Sequence, residues 1–180
     1  MNPLFMDTET TGFGACRVIE LAYAHEDGEI TSFRCKPPIP IEEQAISVHG
    51  ITDAMLADLP LFTACPQYAQ VKELFEHEET LIVAHNGRFD VDVLERDGIQ
   101  IGRFIDTKRI ARMLYPSLRS HRLQDLRETF FFSADGPAHS AAGDVSVLRQ
   151  LYAKMKQDII DGGSDPEDVA EQMLEASRGA

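Results

Sequence analysis

The stretch P-L-F-M-D-T-E-T-T-G-F, from Pro3 to Phe13, constrains this chain more than any other. Three apolar side chains, Leu4, Phe5 and Met6, run straight into two carboxylates, Asp7 and Glu9, with one residue between them. The apolar run reads as a buried strand over residues 3–8. Successive strand side chains point to opposite faces, so Asp7 and Glu9 share one face and Thr8 takes the other. Two carboxylates held that close repel each other, and such a pair either raises its pKa or recruits a cation. A chain that keeps them needs the remaining ligands of a metal site from elsewhere in its length.

Two more strands follow, near residues 18–24 and 30–35, with Glu26-Asp27-Gly28 as a hairpin turn. Pro37, Pro38 and Pro40 end this meander. A helix is predicted from about Thr52, where Thr52 and Asp53 can cap Ala54-Met55-Leu56, and another over 69–75. Leu81-Ile82-Val83-Ala84 is short and wholly apolar, which predicts a strand buried on both faces. Residues 89–96 are helical in pattern. Phe104-Ile105 is a short strand, and Asp106-Thr107 can cap a helix that ends before Pro116. Val145, Leu148, Tyr152, Met155 and Ile159 recur at helical spacing, so one stripe of a long helix faces the core. Gly162-Gly163-Ser164 breaks that pattern. The spacing predicts a domain over 1–161 and an acidic tail over 162–180, as a short helix or partly disordered segment detached from the core. The element order gives an α/β fold with a mixed sheet.

A chain of 180 residues suffices for one domain with a sizeable core. No apolar run approaches a membrane span, and the six residues before Asp7 carry no basic leader. Cys16, Cys35 and Cys65 lack C-x-x-C spacing, which favours a reducing, cytoplasmic address over a disulfide framework. The net charge of −13 argues against an extended grip on nucleic acid. The charge is uneven, however. Seven basic residues between Arg103 and Arg127 face only Asp106 and Asp125 there, while the tail from Asp158 carries seven acids and one base. The basic stretch is either a solvated helix face or a short phosphate track.

Two further stretches offer donors. In Val83-Ala84-His85-Asn86-Gly87-Arg88-Phe89-Asp90 a buried strand turns and starts a helix with Asp90 in its first turn. Carboxyl ends of central strands are where α/β sheets place their chemistry, although Asp90 also suits a helix N-terminus for purely structural reasons. In Gly136-Pro137-Ala138-His139-Ser140-Ala141-Ala142-Gly143-Asp144 the acid sits early in the long helix. Five residues of helix rotate by about 140°. His139 and Asp144 can therefore converge only if His139 lies in the preceding loop. A donor set of Asp7, Glu9, Asp90 and Asp144 with one histidine and no thiolate suits Mg²⁺ or Mn²⁺ rather than zinc. It also matches the requirements of a two-metal site that clamps both oxygens of an in-line displacement at phosphorus.

D-T-E-T-T-G, A-H-N-x-x-F-D and H-x₄-D, in this order, resemble the motifs of the DEDDh 3′–5′ exonucleases. That family includes the proofreading subunit of bacterial DNA polymerase III, exodeoxyribonuclease X and ribonuclease T. The resemblance runs from about Leu4 to Tyr152 and takes in R-V-I-E-L-A, V-H-G-I-T and D-T-K-R-I-A-R-M-L-Y-P. It implies a ribonuclease H-like fold, with a five-stranded mixed sheet flanked by helices. It implies two divalent cations, Mg²⁺ or Mn²⁺, with Asp7 bridging both, Glu9 and Asp144 on the first and Asp90 on the second. His139 would be the general base. Thr10, Gly12, Phe13 and Asn86 would hold the terminal nucleotide, with Phe13 stacking on a base and the turn at His49 and Ile51 beside it. The expected substrate is the 3′ end of single-stranded DNA and the product a nucleoside 5′-monophosphate.

Alternatives remain open at this level. RNA 3′-end trimming uses the same chemistry and differs by a few 2′-OH contacts. A non-catalytic relative that binds nucleic acid or a polymerase would be expected to have lost a ligand or His139, and none is missing. Arg88 either reaches a phosphate or points to solvent. Ser140 follows His139 where relatives often carry Arg or Lys, and Glu20 has no role that the sequence assigns. Phe130-Phe131-Phe132 is either a stacking platform or, the better reading, core. The acidic tail is a candidate surface for a homodimer or a polymerase.

Overall fold

Two parallel strands with adjoining apolar runs, residues 4–6 and 81–84, set the middle of the fold. β1 (Asn2–Thr10) and β4 (Thr80–Ala84) run parallel, with Leu4 beside Ile82 and Phe5 beside Val83. The structure is a computed structural model, and it describes residues 2–133 and 140–178. β2 (Val18–His25) pairs antiparallel with the other side of β1, and β3 (Thr31–Arg34) pairs antiparallel with β2. β5 (Phe104–Asp106) lies parallel to β4, giving the order β3-β2-β1-β4-β5. This is the five-stranded mixed sheet that the sequence predicts.

The helices are α1 (Glu43–His49), α2 (Asp53–Leu56), α3 (Tyr68–Glu76), α4 (Arg88–Arg96), α5 (Thr107–Leu114), α6 (Leu123–Phe130), α7 (Ala141–Asp161) and α8 (Val169–Arg178). Strand parity sorts them onto the two faces. Leu4, Met6, Ile82 and Ala84 pack with Val71 and Phe75 of α3 and Val91 and Leu94 of α4. Phe5, Leu81 and Val83 pack with Val145, Leu148 and Tyr152 of α7, and the Phe5 ring meets Tyr152 edge-on at 5.2 Å. Each large apolar side chain so buried contributes roughly 1.5–3 kcal/mol. Asp7 and Glu9 continue the parity of Phe5, so they emerge on the α7 face. Thr8 continues that of Met6 and emerges on the α4 face.

Several elements depart from the sequence reading. α1 was not predicted: it buries none of its residues and so has no apolar stripe to announce it. Thr52 starts α2 without a side-chain cap, and the Asp53 carboxylate accepts from the Ile41 N–H instead. α6 was not predicted either, although Leu123 and Leu126 are buried in the α7-face cluster. Of the three consecutive phenylalanines, Phe130 and Phe132 pack at the core's edge. Phe131 does not: it ends α6 with φ 57° and is 93% exposed.

The tail is not detached from the core. α8 buries Val169, Met173 and Leu174 in the α7-face cluster, and the Ser177 Oγ accepts from the backbone N–H of Asp106 at 2.8 Å. The outer side of the edge strand β5 is thereby covered, and one of its free backbone donors is satisfied. Among the described residues no helix is long and apolar enough to cross a membrane, and all three cysteines are free and buried.

The docking of α8 gives a direct test. Met173→Ala should cost about 2–5 kcal/mol of stability, as for other buried apolar truncations. Urea unfolding followed by circular dichroism measures it, and an unchanged midpoint would mean that α8 is not docked.

Candidate metal centre

β1 runs past the end of β4. Its ladder to β4 stops at Phe5, whereas its ladder to β2 continues through Asp7, opposite Ala22, and Glu9, opposite Glu20. The register then shifts between Glu9 and Thr10. The two carboxylates therefore stand at the carboxyl edge of the parallel pair, where the chain diverges into α4.

Asp144, in the first turn of α7, meets them there. One ligand oxygen from each of Asp7, Glu9 and Asp144 lies within 4.8 Å of the others. α7 begins at Ala141, with Ser140 as its N-cap accepting from the Gly143 N–H, so Asp144 projects from the first turn against β1. Asp90 reaches the centre from the opposite face of the strand. The Thr8 hydroxyl donates to Asp90 Oδ1 at 2.6 Å, so the residue between the two acids holds the third. Asp90 is 4% exposed. His139 lies outside the described residues.

The electrostatics follow from this crowding. Burial, then Asp90, Asp144 and Glu9, hold the Asp7 carboxyl well above the usual carboxylate range. Burial and Asp144 push Glu9 up to about 8. Burial pushes Asp90 up to about 7, despite the Thr8 hydroxyl that favours its charged form. Among the described residues no ion pair neutralises Asp7, Glu9 or Asp90; Arg34 is spent on Glu20 at 3.0 Å. The donors are hard oxygens only, since the cysteines are buried away from the site in the α4-face and β3-side core. Concentrated, desolvated, unneutralised carboxylate oxygens fit a hard divalent cation such as Mg²⁺ or Mn²⁺.

Beside these acids lies an open cleft of about 310 Å³, lined by Asp7, His85, Arg122, Leu123, Gln124, Asp125 and Asp144. His85 is held between the Thr107 Oγ1 at 2.9 Å and the His121 carbonyl at 2.8 Å. Burial lowers its pKa to about 4, so it is a neutral brace between β4, α5 and the approach to α6. Asn86, at the turn, adopts φ 68° with its backbone N–H donating to Asp106 Oδ1, and its side-chain oxygen accepts from Lys108. Arg88 is exposed but engaged along α4 by Asp92 and Glu95, which favours the solvent reading over the phosphate one.

The loop after β1 is fixed by its carbonyls. The Thr10 carbonyl accepts from His49 Nε2 at 3.2 Å, and the Thr11 carbonyl from the Glu42 N–H at 2.8 Å. His49 Nδ1 accepts from the Ile51 N–H at 3.0 Å, and burial lowers the His49 pKa, so the neutral Nε2–H form is fixed. Gly12 has φ 148° with the Glu42 carboxyl packed where a Cβ would stand. Phe13 is 72% exposed, 6.4 Å from the Phe89 ring. Thr10 is buried, and its hydroxyl donates to the Gly12 carbonyl at 3.0 Å. Ile51 corrects the sequence reading. It is 1% exposed in a small cluster with Ile19, Ile41 and Leu56, and it supports the turn from beneath.

Sequence reasoning missed Gln124, Arg122 and the brace at His85, and it assigned nothing to Glu20. Glu20 is buried opposite Glu9, bonded to Arg34, with the Ala141 N–H 3.5 Å from its other oxygen. The signal for Gln124 was Leu123, Leu126 and Phe130 at helical spacing.

Comparison with known proteins decides the family. Residues 4–152 match the RNase T exonuclease family. The chain belongs to the exonuclease family. It is 31% identical over 173 residues to DNA polymerase III subunit epsilon of Pasteurella multocida, covering 84% of this chain and 67% of that protein. It is 32% identical over 180 residues to the PolC-type DNA polymerase III of Bacillus cereus, covering 90% of this chain but only 12% of that one. The chain thus spans between about an eighth and two thirds of these relatives. Among solved structures, Exonuclease X in complex with 5′ overhanging duplex DNA superposes with a TM-score of 0.76 at 27% identity, covering 97% of this chain and 99% of the other. The ribonuclease H-like fold and the 3′–5′ exonuclease class implied by the motifs are both borne out.

The raised carboxyls set a pH dependence for the metal-free protein. A carboxyl whose folded pKa is raised contributes stability below its unfolded pKa and loses it as pH rises through the folded value. His85, with a lowered pKa, adds the opposite slope only below its ordinary value of 6.5. From pH 6.5 to 8, among the described residues, the raised carboxyls dominate this dependence. In chelator, the melting temperature should therefore fall across that window, and Mn²⁺ at pH 8 should restore it. Differential scanning calorimetry checks both; a flat profile would mean that the acids are not forced together.

Proposed function

We propose that this exonuclease hydrolyses the terminal phosphodiester bond at the 3′ end of single-stranded DNA and releases nucleoside 5′-monophosphates, using two divalent cations. The observation that carries the reading is the convergence of Asp7, Glu9 and Asp144 within 4.8 Å, with Asp90 bonded through Thr8, at the carboxyl edge of the sheet. Asp7 lies between the two groups of acids and is the candidate bridging ligand. Glu9 and Asp144 would hold one cation with it, and Asp90 the other. When bound, the pair of cations polarises the phosphate and favours the hydroxide form of the attacking water.

The chain's own residues supply the rest. His139 takes the proton of the attacking water as general base. Gly12 belongs to the backbone at residues 10–13 that would hold the terminal nucleotide, and its missing Cβ makes room for the Glu42 carboxyl packed against that loop. The exposed Phe13 ring offers a face for base stacking, backed by Phe89. His49, locked neutral between Thr10 and Ile51, keeps this loop in place. Asn86 stands at the turn that leads into Asp90. The DNA in the Exonuclease X complex and the polymerase relatives supports DNA over RNA. Any polymerase or second copy that docks on α8 would meet its acidic outer face, Glu171 and Glu175, with Glu167 and Asp168 in the turn before it, since the apolar face is packed inward.

The test uses 5′-labelled DNA and RNA oligomers of one sequence, with Mg²⁺, Mn²⁺ or chelator. A metal-dependent ladder shortening from the 3′ end, faster on DNA, is expected. His139→Ala should lower turnover by about 10²–10⁴-fold with Mn²⁺ binding retained. Asp7→Asn should lose both metal binding and activity. Faster trimming of RNA would overturn the substrate, and intact oligomers under every condition would overturn the activity.

A further inference from the structure

Three of the four acids are fixed by the sheet or by a neighbour on it: Asp7 and Glu9 by the backbone of β1, and Asp90 by the Thr8 hydroxyl. Asp144 comes from a helix instead, and α6 supplies a side chain that meets it. Gln124, in the first turn of α6, donates through Nε2 to Asp144 Oδ1. On its other side, Gln124 Oε1 accepts from Arg127 Nη1 at 3.3 Å. Arg127 lies one helical turn on from Gln124, at the i, i+3 spacing that brings side chains together, whereas Asp144 is reached across the gap to α7.

The order of these bonds has chemical content. A primary amide has one accepting and one donating end. A guanidinium is donor-only, so it occupies the oxygen and turns the NH₂ toward the carboxylate. We propose that Gln124 is a positioning residue: it fixes one oxygen of Asp144 so that the other faces the space shared with Asp7 and Glu9, and Arg127 fixes Gln124. The proposal rests on the metal-centre reading above. A neutral amide suits the task better than a charged side chain. Lysine or arginine in direct contact would compete with the cation for Asp144, and a carboxylate would add to the repulsion among the acids already there. Arg127 sits one bond removed, where it can orient the amide without touching the ligand.

The structural alternative is a tie between α6 and α7, whose buried Leu123, Leu126 and Val145 already pack together. Isothermal titration of the full chain with Mn²⁺, without substrate, separates the two. Gln124→Leu, which keeps the size and removes the donor, should weaken Mn²⁺ binding by about 10–100-fold, the cost usual for losing a partner of a metal ligand. The Mn²⁺ concentration for half-maximal exonuclease rate should rise by the same factor. Arg127→Met should weaken binding in the same direction by less. The double variant should bind no worse than Gln124→Leu alone, because Arg127 acts only through the amide.

Unchanged Mn²⁺ affinity in Gln124→Leu, with a lower melting temperature in chelator, would overturn the proposal in favour of the tie. Additive losses in the double variant would overturn the relay through Arg127. Absence of Mn²⁺ binding by the unsubstituted chain would instead bring down the metal-centre reading, and this inference with it.

Discussion

Everything at the functional edge of this protein depends on mutual repulsion among carboxylates that the fold will not let separate. Asp7 and Glu9 are two residues apart on a central strand, and neither can swing away without breaking the ladder to β2. Asp144 is brought to them by α7, whose apolar stripe is packed against the same strand. Asp90 is tied to Thr8. Burial removes the water that would have screened the charges, and it is the largest cause of the raised pKa at Asp7, Glu9 and Asp90. The fold thus holds these acids in an electrostatically unfavourable arrangement, which a divalent cation relieves.

The apolar architecture makes this storage tolerable. β1 is covered on both faces, by α7 on one side and by α3 and α4 on the other, so the same alternation that buries Leu4, Phe5 and Met6 aims the next residues at two different helices. The α7 face receives two acids, and the α4 face receives a hydroxyl. One strand therefore coordinates a site assembled from three separate parts of the chain. The neighbouring polar groups orient these acids without neutralising them: Thr8 on Asp90 and Gln124 on Asp144 are neutral donors. Arg34 is held by Glu20 instead.

Much of this was legible in the sequence because it was local. Alternation alone put Asp7 and Glu9 on one face, the apolar run 81–84 marked β4, and Asp106 does cap α5 by accepting from the Lys108 N–H. What was not legible was tertiary. α1 carries no buried residue, so its helical period had nothing to display. Ile51 looked like a surface wedge in V-H-G-I-T and is instead the buried prop of that turn. In α8 the charge pattern misled: Val169, Met173, Leu174 and Ser177 form a helical stripe, but the acids between them suggested a solvated tail. Gln124 and Arg127 are separated from Asp144 by some twenty residues, and no spacing rule links an amide to a distant acid.

The central claim is that cations, and not protons, are what these carboxylates are built to receive. Anomalous scattering from crystals grown with Mn²⁺ and a nucleoside 5′-monophosphate tests it most directly. Two peaks roughly 3.5–4 Å apart, one among Asp7, Glu9 and Asp144 and one between Asp7 and Asp90, are the predicted result. Crystals with no peak at these acids, or with Mn²⁺ bound only elsewhere on the acidic surface, would contradict it.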